Sequence, residues 1–174
     1  MLSYAFSLRI PWEHLHQFLI RGKPYGVWKP GGISFCDNPH QVRLRDFHFR
    51  CKERWVYEYD LADRWQHEIR LEQILPLDPA KSYPICLAGK RRTPLEDCGG
   101  PWAFMALRDA HPLWEVTAQF AQLLLEHRDE LEDYREELGR LGYWIVCEDF
   151  DRQAVNRRLA AYAAMCTREK ERRL

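Results

Sequence analysis

The sequence has no C-x-x-C pair, no surplus of charge of either sign, no long apolar run, no internal repeat and no low-complexity linker. Each absence removes a class of protein. Cys36, Cys51, Cys86, Cys98, Cys147 and Cys166 are scattered, so neither a disulfide framework nor a standard zinc finger is indicated, and reduced thiols in a cytoplasmic protein are expected. With 26 Lys and Arg against 26 Asp and Glu, the chain lacks the basic excess of an unspecific nucleic-acid binder, and only a local basic patch could serve. The opening "MLSYAFSLRIPWEHLHQF" is interrupted by Arg9 and Pro11, too early for a signal peptide, and no later stretch is apolar enough to span a bilayer. No membrane partner is therefore expected.

What is present is core-forming material. A chain of 174 residues that is 46% hydrophobic and 13% aromatic can bury a sizeable core without metal or disulfide staples, and we read residues 1–174 as a single domain. "HLHQFLI" (14–20) alternates, with His14, His16, Phe18 and Ile20 on one face, and leads into "RGKPYG", a Gly/Pro turn region. "WKPGGISFCDNPHQ" is loop-rich, and "VRLRDFHFRCKERW" changes phase near Asp46, which predicts a turn or short helical piece between two extended segments. "RWVYEYDLADRWQHEIRLEQI" (54–74) predicts a β-hairpin. Trp55, Tyr57 and Tyr59 share one face, as do Trp65, His67, Ile69 and Leu71, while Gln66, Glu68, Arg70 and Glu72 form a wet side.

After "GGPW" the period lengthens to about 3.6. "PWAFMALRDA" predicts a short helix; Leu113, Val116, Phe120 and Leu124 mark a second; Leu131, Tyr134, Leu138 and Leu141 mark a third with a mostly acidic outer face. Asp151 stands at an N-cap position before a helix with Val155, Leu159, Tyr162 and Cys166 on one side. Strands first and helices last give an α+β fold, an antiparallel sheet with a central aromatic hairpin covered by C-terminal helices.

"HLHQFLIRGKPYG", "WVYEYDLADRWQHEIRLE", "YPICLAGKRRTPLEDCGGPWAFMAL" and "FDRQAVNRRLA" occur in the order seen in the Ri-plasmid ORF-3-like family, which the chain resembles over nearly its whole length. Some members are labelled transposon-passenger TnpR-like proteins. The resemblance implies the α+β domain and a mobile-element-associated accessory or binding protein without an established reaction. The chain departs from the family pattern in three places. It opens just before the H-L-H strand, so a family segment of one strand and one helix is expected to be missing, leaving an uncovered N-terminal edge open to self-association. Asp60-Leu61-Ala62-Asp63 stands where the turn usually reads Asp-Phe-Gly-Asp, which puts a positive-φ position at Ala62 in question. Thr93-Pro94-Leu95 replaces the usual Pro-Pro pair.

Candidate sites follow from the side chains. In the loop "PICLAGKRRTPLEDCGGPW", Glu96 and Asp97 before Gly99-Gly100 suit a rigid connector, with carboxylates accepting turn N–H groups, glycines at positive φ and Pro101 opening the next helix. If the loop binds anything, the N–H groups there favour an anion. His67, Cys86 and Cys98 are the candidate ligands of a mixed metal site, with Asp60, Asp63, Glu96 and Asp97 supplying oxygens; zinc is the cofactor of that alternative, and no cofactor belongs to the first. The bland reading makes Cys86 and Cys98 small packed hydrophobes and His67 a satisfied core residue. Arg43, Arg45, Arg50, Lys52 and Arg54 cluster before the aromatic hairpin, where they could hold phosphates while rings stack bases, or simply form a solvated face. Ser3, Ser7, Ser34 and Ser82 form no recombinase constellation, so resolvase chemistry is not supported. The expected partners are nucleic acid or mobile-element proteins; the competing reading is a metal-dependent enzyme at the hairpin and the E-D-C-G-G loop.

Overall fold

The computed structural model describes residues 15–26 and 42–171, the last six of these as backbone only. The chain divides into two compact units, the first comprising residues 1–85 and 156–174 and the second residues 86–155.

The first unit contains a four-stranded antiparallel sheet of β1 (His16–Ile20), β2 (Lys23–Gly26), β3 (Arg54–Tyr59) and β4 (Trp65–Arg70), in the order β2-β1-β3-β4. The tight turn between β1 and β2 is Arg21-Gly22 alone, both at positive φ, so "KPYG" is strand and not turn. A two-residue loop of this kind matches the twist of its flanking strands. Pro24, which has no N–H to give a ladder, sits on the outermost strand, where its deficit is tolerated. Between β2 and β3 a short 3-10 turn, Leu44–Phe47, fulfils the phase change read near Asp46, and the Arg43 N–H donates to its carboxylate at 2.9 Å.

β3 and β4 form the predicted hairpin, with Trp55 opposite Ile69, Tyr57 opposite His67 and Tyr59 opposite Trp65. Phe18, Ile20, Trp55, Tyr57 and Tyr59 are buried together, with Tyr25, Phe47, Phe49, Trp65, Ile69 and Leu71 packed around them. Phe49 stacks on Trp55 with centroids 4.3 Å apart, and Phe18 lies 4.7 Å from Tyr57. The hairpin turn does not need glycine at Ala62. Asp60 and Arg64 take the positive-φ positions, and the Asp60 carboxylate accepts the N–H groups of Ala62 (3.1 Å) and Asp63 (3.4 Å). A short acidic side chain bonded to the backbone ahead of it stabilises such a turn.

Two sheet positions differ from the alternation. Glu58, on the nominally wet face of β3, is buried; Gln17 and Gln66 stand directly beside it in register, and their amides donate to it at 2.6 and 3.4 Å. Hydrogen bonding makes that burial tolerable. His67 shares the packed face but is exposed, because β4 stands at the end of the described sheet order; its ring lies 5.7 Å from that of Tyr57.

The second unit is helical. α1 (Gly100–Asp109), α2 (Leu113–Glu126) and α3 (Arg135–Val146) precede α4 (Arg152–Glu171), whose later residues belong to the first unit. The core here is Val116, Leu141 and Trp144, with Leu95, Phe104, Phe120, Leu123 and Tyr143 against it. His111 stacks on Trp144 at 4.6 Å. α3 begins at Arg135, after the turn that holds Leu131 and Tyr134, so the third apolar series starts before its helix. On α2 the packed row is Val116, Phe120 and Leu123, while Leu113 and Leu124 turn outward. The Asp151 carboxylate caps α4 through the Ala154 N–H at 2.8 Å. Val155, Leu159 and Tyr162 are half-buried, as their spacing predicts; the side chain of Cys166 lies outside the described residues. The "WKPGGISFCDNPHQ" loop and the chain start before residue 15, with the uncovered edge expected there, also lie outside them.

Candidate functional site

The loop from Cys86 to Gly99 lies along the C-terminal part of α3 and the start of α4, held largely through its backbone. The Arg92 N–H donates to the Cys147 carbonyl at 2.9 Å, the Tyr143 hydroxyl donates to the Thr93 carbonyl at 3.1 Å, and Arg152 donates to the Leu87 carbonyl at 3.3 Å. Arg91 pairs with Glu148 at 2.7 Å. At Gly89 a β-carbon would come within 2.2 Å of the Phe150 ring, so a side chain there requires that ring to move. Asp97, Gly99 and Gly100 all have positive φ, and α1 starts at Gly100 with Pro101 in its first turn. Glu96 and Asp97 are exposed, while Cys86 and Cys98 are half-buried. Burial pushes the Tyr143 phenol up to about 12.

The candidate metal ligands divide between the units, His67 in the first and Cys86 and Cys98 in the second. Among the described residues no three His, Cys, Asp or Glu side chains come together as a metal ion requires.

The basic cluster is partly neutralised by its own neighbours. Lys52 pairs with Glu72 at 2.6 Å, and Arg54 reaches both carboxylate oxygens of Glu68 at 2.9 and 3.1 Å. Glu72 also pairs with Arg70, and the two cations together hold its carboxyl below the usual carboxylate range. Arg43, Arg45 and Arg50 are exposed, with Arg45 3.8 Å from Asp46. The hairpin aromatics meant to stack bases are instead core: Trp55, Tyr57 and Tyr59 are buried.

One surface was not singled out in the sequence. After β4 the chain runs irregularly through "ILPLDPAKSYP", where Pro76, Pro79 and Pro84 cannot donate to a ladder. Within four residues Ile74, Leu75 and Leu77 are 73%, 71% and 78% exposed. A turn follows. The Asp78 carboxylate accepts the Ala80 N–H at 3.0 Å and pairs with Lys81 at 3.0 Å, which holds its carboxyl below the usual range. Leu75, Pro76, Leu77, Asp78, Lys81 and Tyr83 line an open depression of about 370 Å³. Its walls are apolar, with one ion pair at the rim. The available signal was compositional: three large aliphatics among prolines, in no strand or helix period.

A sequence profile for plasmid pRiA4b ORF-3-like protein matches residues 8–158. The chain belongs to that family. The uncharacterized protein y4hQ of Sinorhizobium fredii (strain NBRC 101917 / NGR234) is 29% identical to this ORF-3-like chain over 102 residues, covering 56% of this chain and 50% of y4hQ. The chain thus spans about half the length of that relative. A crystal structure of a protein of unknown function, MM3350 from Methanosarcina mazei Go1, is 30% identical with a TM-score of 0.48, covering 80% of this chain and 68% of the other. No described helix of this ORF-3-like chain is long and apolar enough to cross a membrane.

Proposed function

We propose that this chain is an accessory binding protein of a mobile element and that it engages a protein partner through the segment from Ile74 to Tyr83. The observation that carries the reading is the exposure of Ile74, Leu75 and Leu77 beside an apolar depression. Scattered exposed aliphatics are ordinary, whereas a contiguous group with a concave centre marks an interaction surface. The depression has the volume to take one or two bulky apolar side chains, and the Asp78–Lys81 pair at its rim offers an acceptor and a donor to orient them. A link to a mobile element is supported by the family description, which names a plasmid reading frame.

The test is site-specific photocrosslinking from position 77 in cells that carry the neighbouring genes. The expected result is one discrete adduct, lost when Leu75→Asp and Tyr83→Ala are added. A chain that gives no adduct but turns over a substrate with an added metal ion would replace this reading by the enzymatic one. Nucleic-acid contact is a second reading, favoured by the exposed guanidinium groups of Arg43, Arg45 and Arg50 on one short stretch.

A further inference from the structure

We propose that the outer face of α2 pairs, antiparallel and about a two-fold axis, with the same helix of a second copy of this chain. α2 is apolar on two sides. Val116, Phe120 and Leu123 face the helical core. At 100° per residue, Trp114, Ala118, Ala121 and Leu125 form a second stripe on the opposite side. All four are exposed, Trp114 at 73% and Leu125 at 81%. A helix that is apolar on opposite faces belongs in an interior, so the outer stripe calls for a cover.

The stripe itself identifies the cover. Its intervals are four, three and four residues, the a/d spacing of a coiled-coil seam, and its residues run large, small, small, large. Spacing and size read the same from either end. Antiparallel two-fold pairing therefore sets Trp114 against Leu125 of the copy and Ala118 against Ala121 of the copy. The small central pair lets the helices approach near the low end of the usual 8–10 Å. This is the self-complementarity that an isologous interface requires.

The flanks agree with the same arrangement. Glu115 and Gln122 border one side of the stripe, and antiparallel pairing brings Glu115 opposite Gln122 of the copy, an acceptor facing an amide donor instead of a second carboxylate. Thr117 and Leu124 border the other side and meet each other. A single helix of 14 residues from each copy makes an interface smaller than the standard size, so the dimer should be weak and concentration-dependent. This pairing is independent of the Ile74–Tyr83 surface and of any sheet edge.

Sedimentation equilibrium of the whole chain between about 1 µM and about 1 mM tests it. We expect a shift from the mass of one chain to that of two. Ala121→Glu and Ala118→Lys should each raise the dissociation constant at least about tenfold. An equimolar mixture of the two variants should recover the dimer, because only the antiparallel register sets position 118 of one copy opposite position 121 of the other, ammonium against carboxylate. Both positions are exposed, so melting temperatures should not move; if Ala121→Glu does melt lower, Trp114→Gln is the variant to read. A wild-type chain of single mass throughout overturns the proposal. So does a dimer indifferent to Ala121→Glu and Trp114→Gln, which would place the second copy elsewhere, and so does a mixture that fails to recover.

Discussion

The most constrained residues of this chain are not those with the most reactive side chains. Gly99 is the clearest case, since its φ of +81° is one that a side chain rarely adopts. Gly99→Val should therefore destabilise the helical unit by roughly 1–3 kcal/mol, through its positive φ and a 3.1 Å approach to Ala103, and more than Gly89→Val, where the Phe150 ring can move aside. Cys98→Val should be nearly neutral if Cys98 only packs; urea denaturation of the three variants checks the order. Loss of bound zinc in a folded Cys98→Val protein would instead establish it as a ligand. Tyr57 and Tyr143 give a pH prediction. Burial raises both phenols from 10 to about 12, so the folded state holds these protons more tightly than the unfolded state does. Their contribution is complete below pH 10 and is lost as pH rises from about 10 to about 12. Absorbance at alkaline pH should show a late-ionising class of tyrosines that includes these two and appears together with unfolding; absence of any such class in a folded chain would contradict it.

At the scale of elements, the hairpin carries the sheet core, and its two faces can be told apart by mutation. Trp55→Ala removes a buried indole stacked on Phe49 and should cost roughly 3–5 kcal/mol, whereas Glu68→Ala, exposed and paired with Arg54, should change stability by less than about 1 kcal/mol. Equal denaturation midpoints would mean the faces are reversed. Glu58→Ala should cost roughly 1–3 kcal/mol despite lying on the nominally wet side, because it leaves the half-buried Gln17 amide without its acceptor. This is also where reading the sequence succeeds and fails. Alternation over Trp55–Tyr59 and Trp65–Leu71 locates both strands and their core face, since a period of two leaves little choice. It cannot show that Gln17 and Gln66 flank Glu58, because cross-strand neighbours are a matter of register. Nor can it show that β4 closes the sheet order and so leaves His67 exposed. The 3.6 period finds α2 and its packed face at Val116 and Phe120, but the row ends on Leu123 and not Leu124, and Leu113 turns outward, because adjacent leucines leave periodicity alone unable to choose between them.

At the scale of the molecule, the candidate sites of the sequence fare differently. The positive-φ turn of the E-D-C-G-G loop and the start of α1 were legible in its glycines and Pro101, yet Gly89 and the bonds that fasten the loop to α3 depend on contacts some fifty residues away. The basic stretch was legible as charge, but its carboxylate partners Glu68 and Glu72 come from the neighbouring strand and the residues beyond it. Nucleic-acid contact, if it occurs, should rest on Arg43, Arg45 and Arg50. An anisotropy titration should then weaken steeply with salt, and Ala at these three positions should flatten the dependence more than Ala at Lys52 and Arg54; no binding at low salt removes the option. The central claim is the partner surface at Ile74–Tyr83. It is tested most directly by titration calorimetry of the crosslinked partner, once purified, against the wild-type chain and against Leu75→Asp/Leu77→Asp. The account predicts binding with a negative heat-capacity change for the wild type, at least about tenfold weaker binding for the double variant, and an unchanged unfolding midpoint because both leucines are exposed. Equal affinity for the two chains would contradict it.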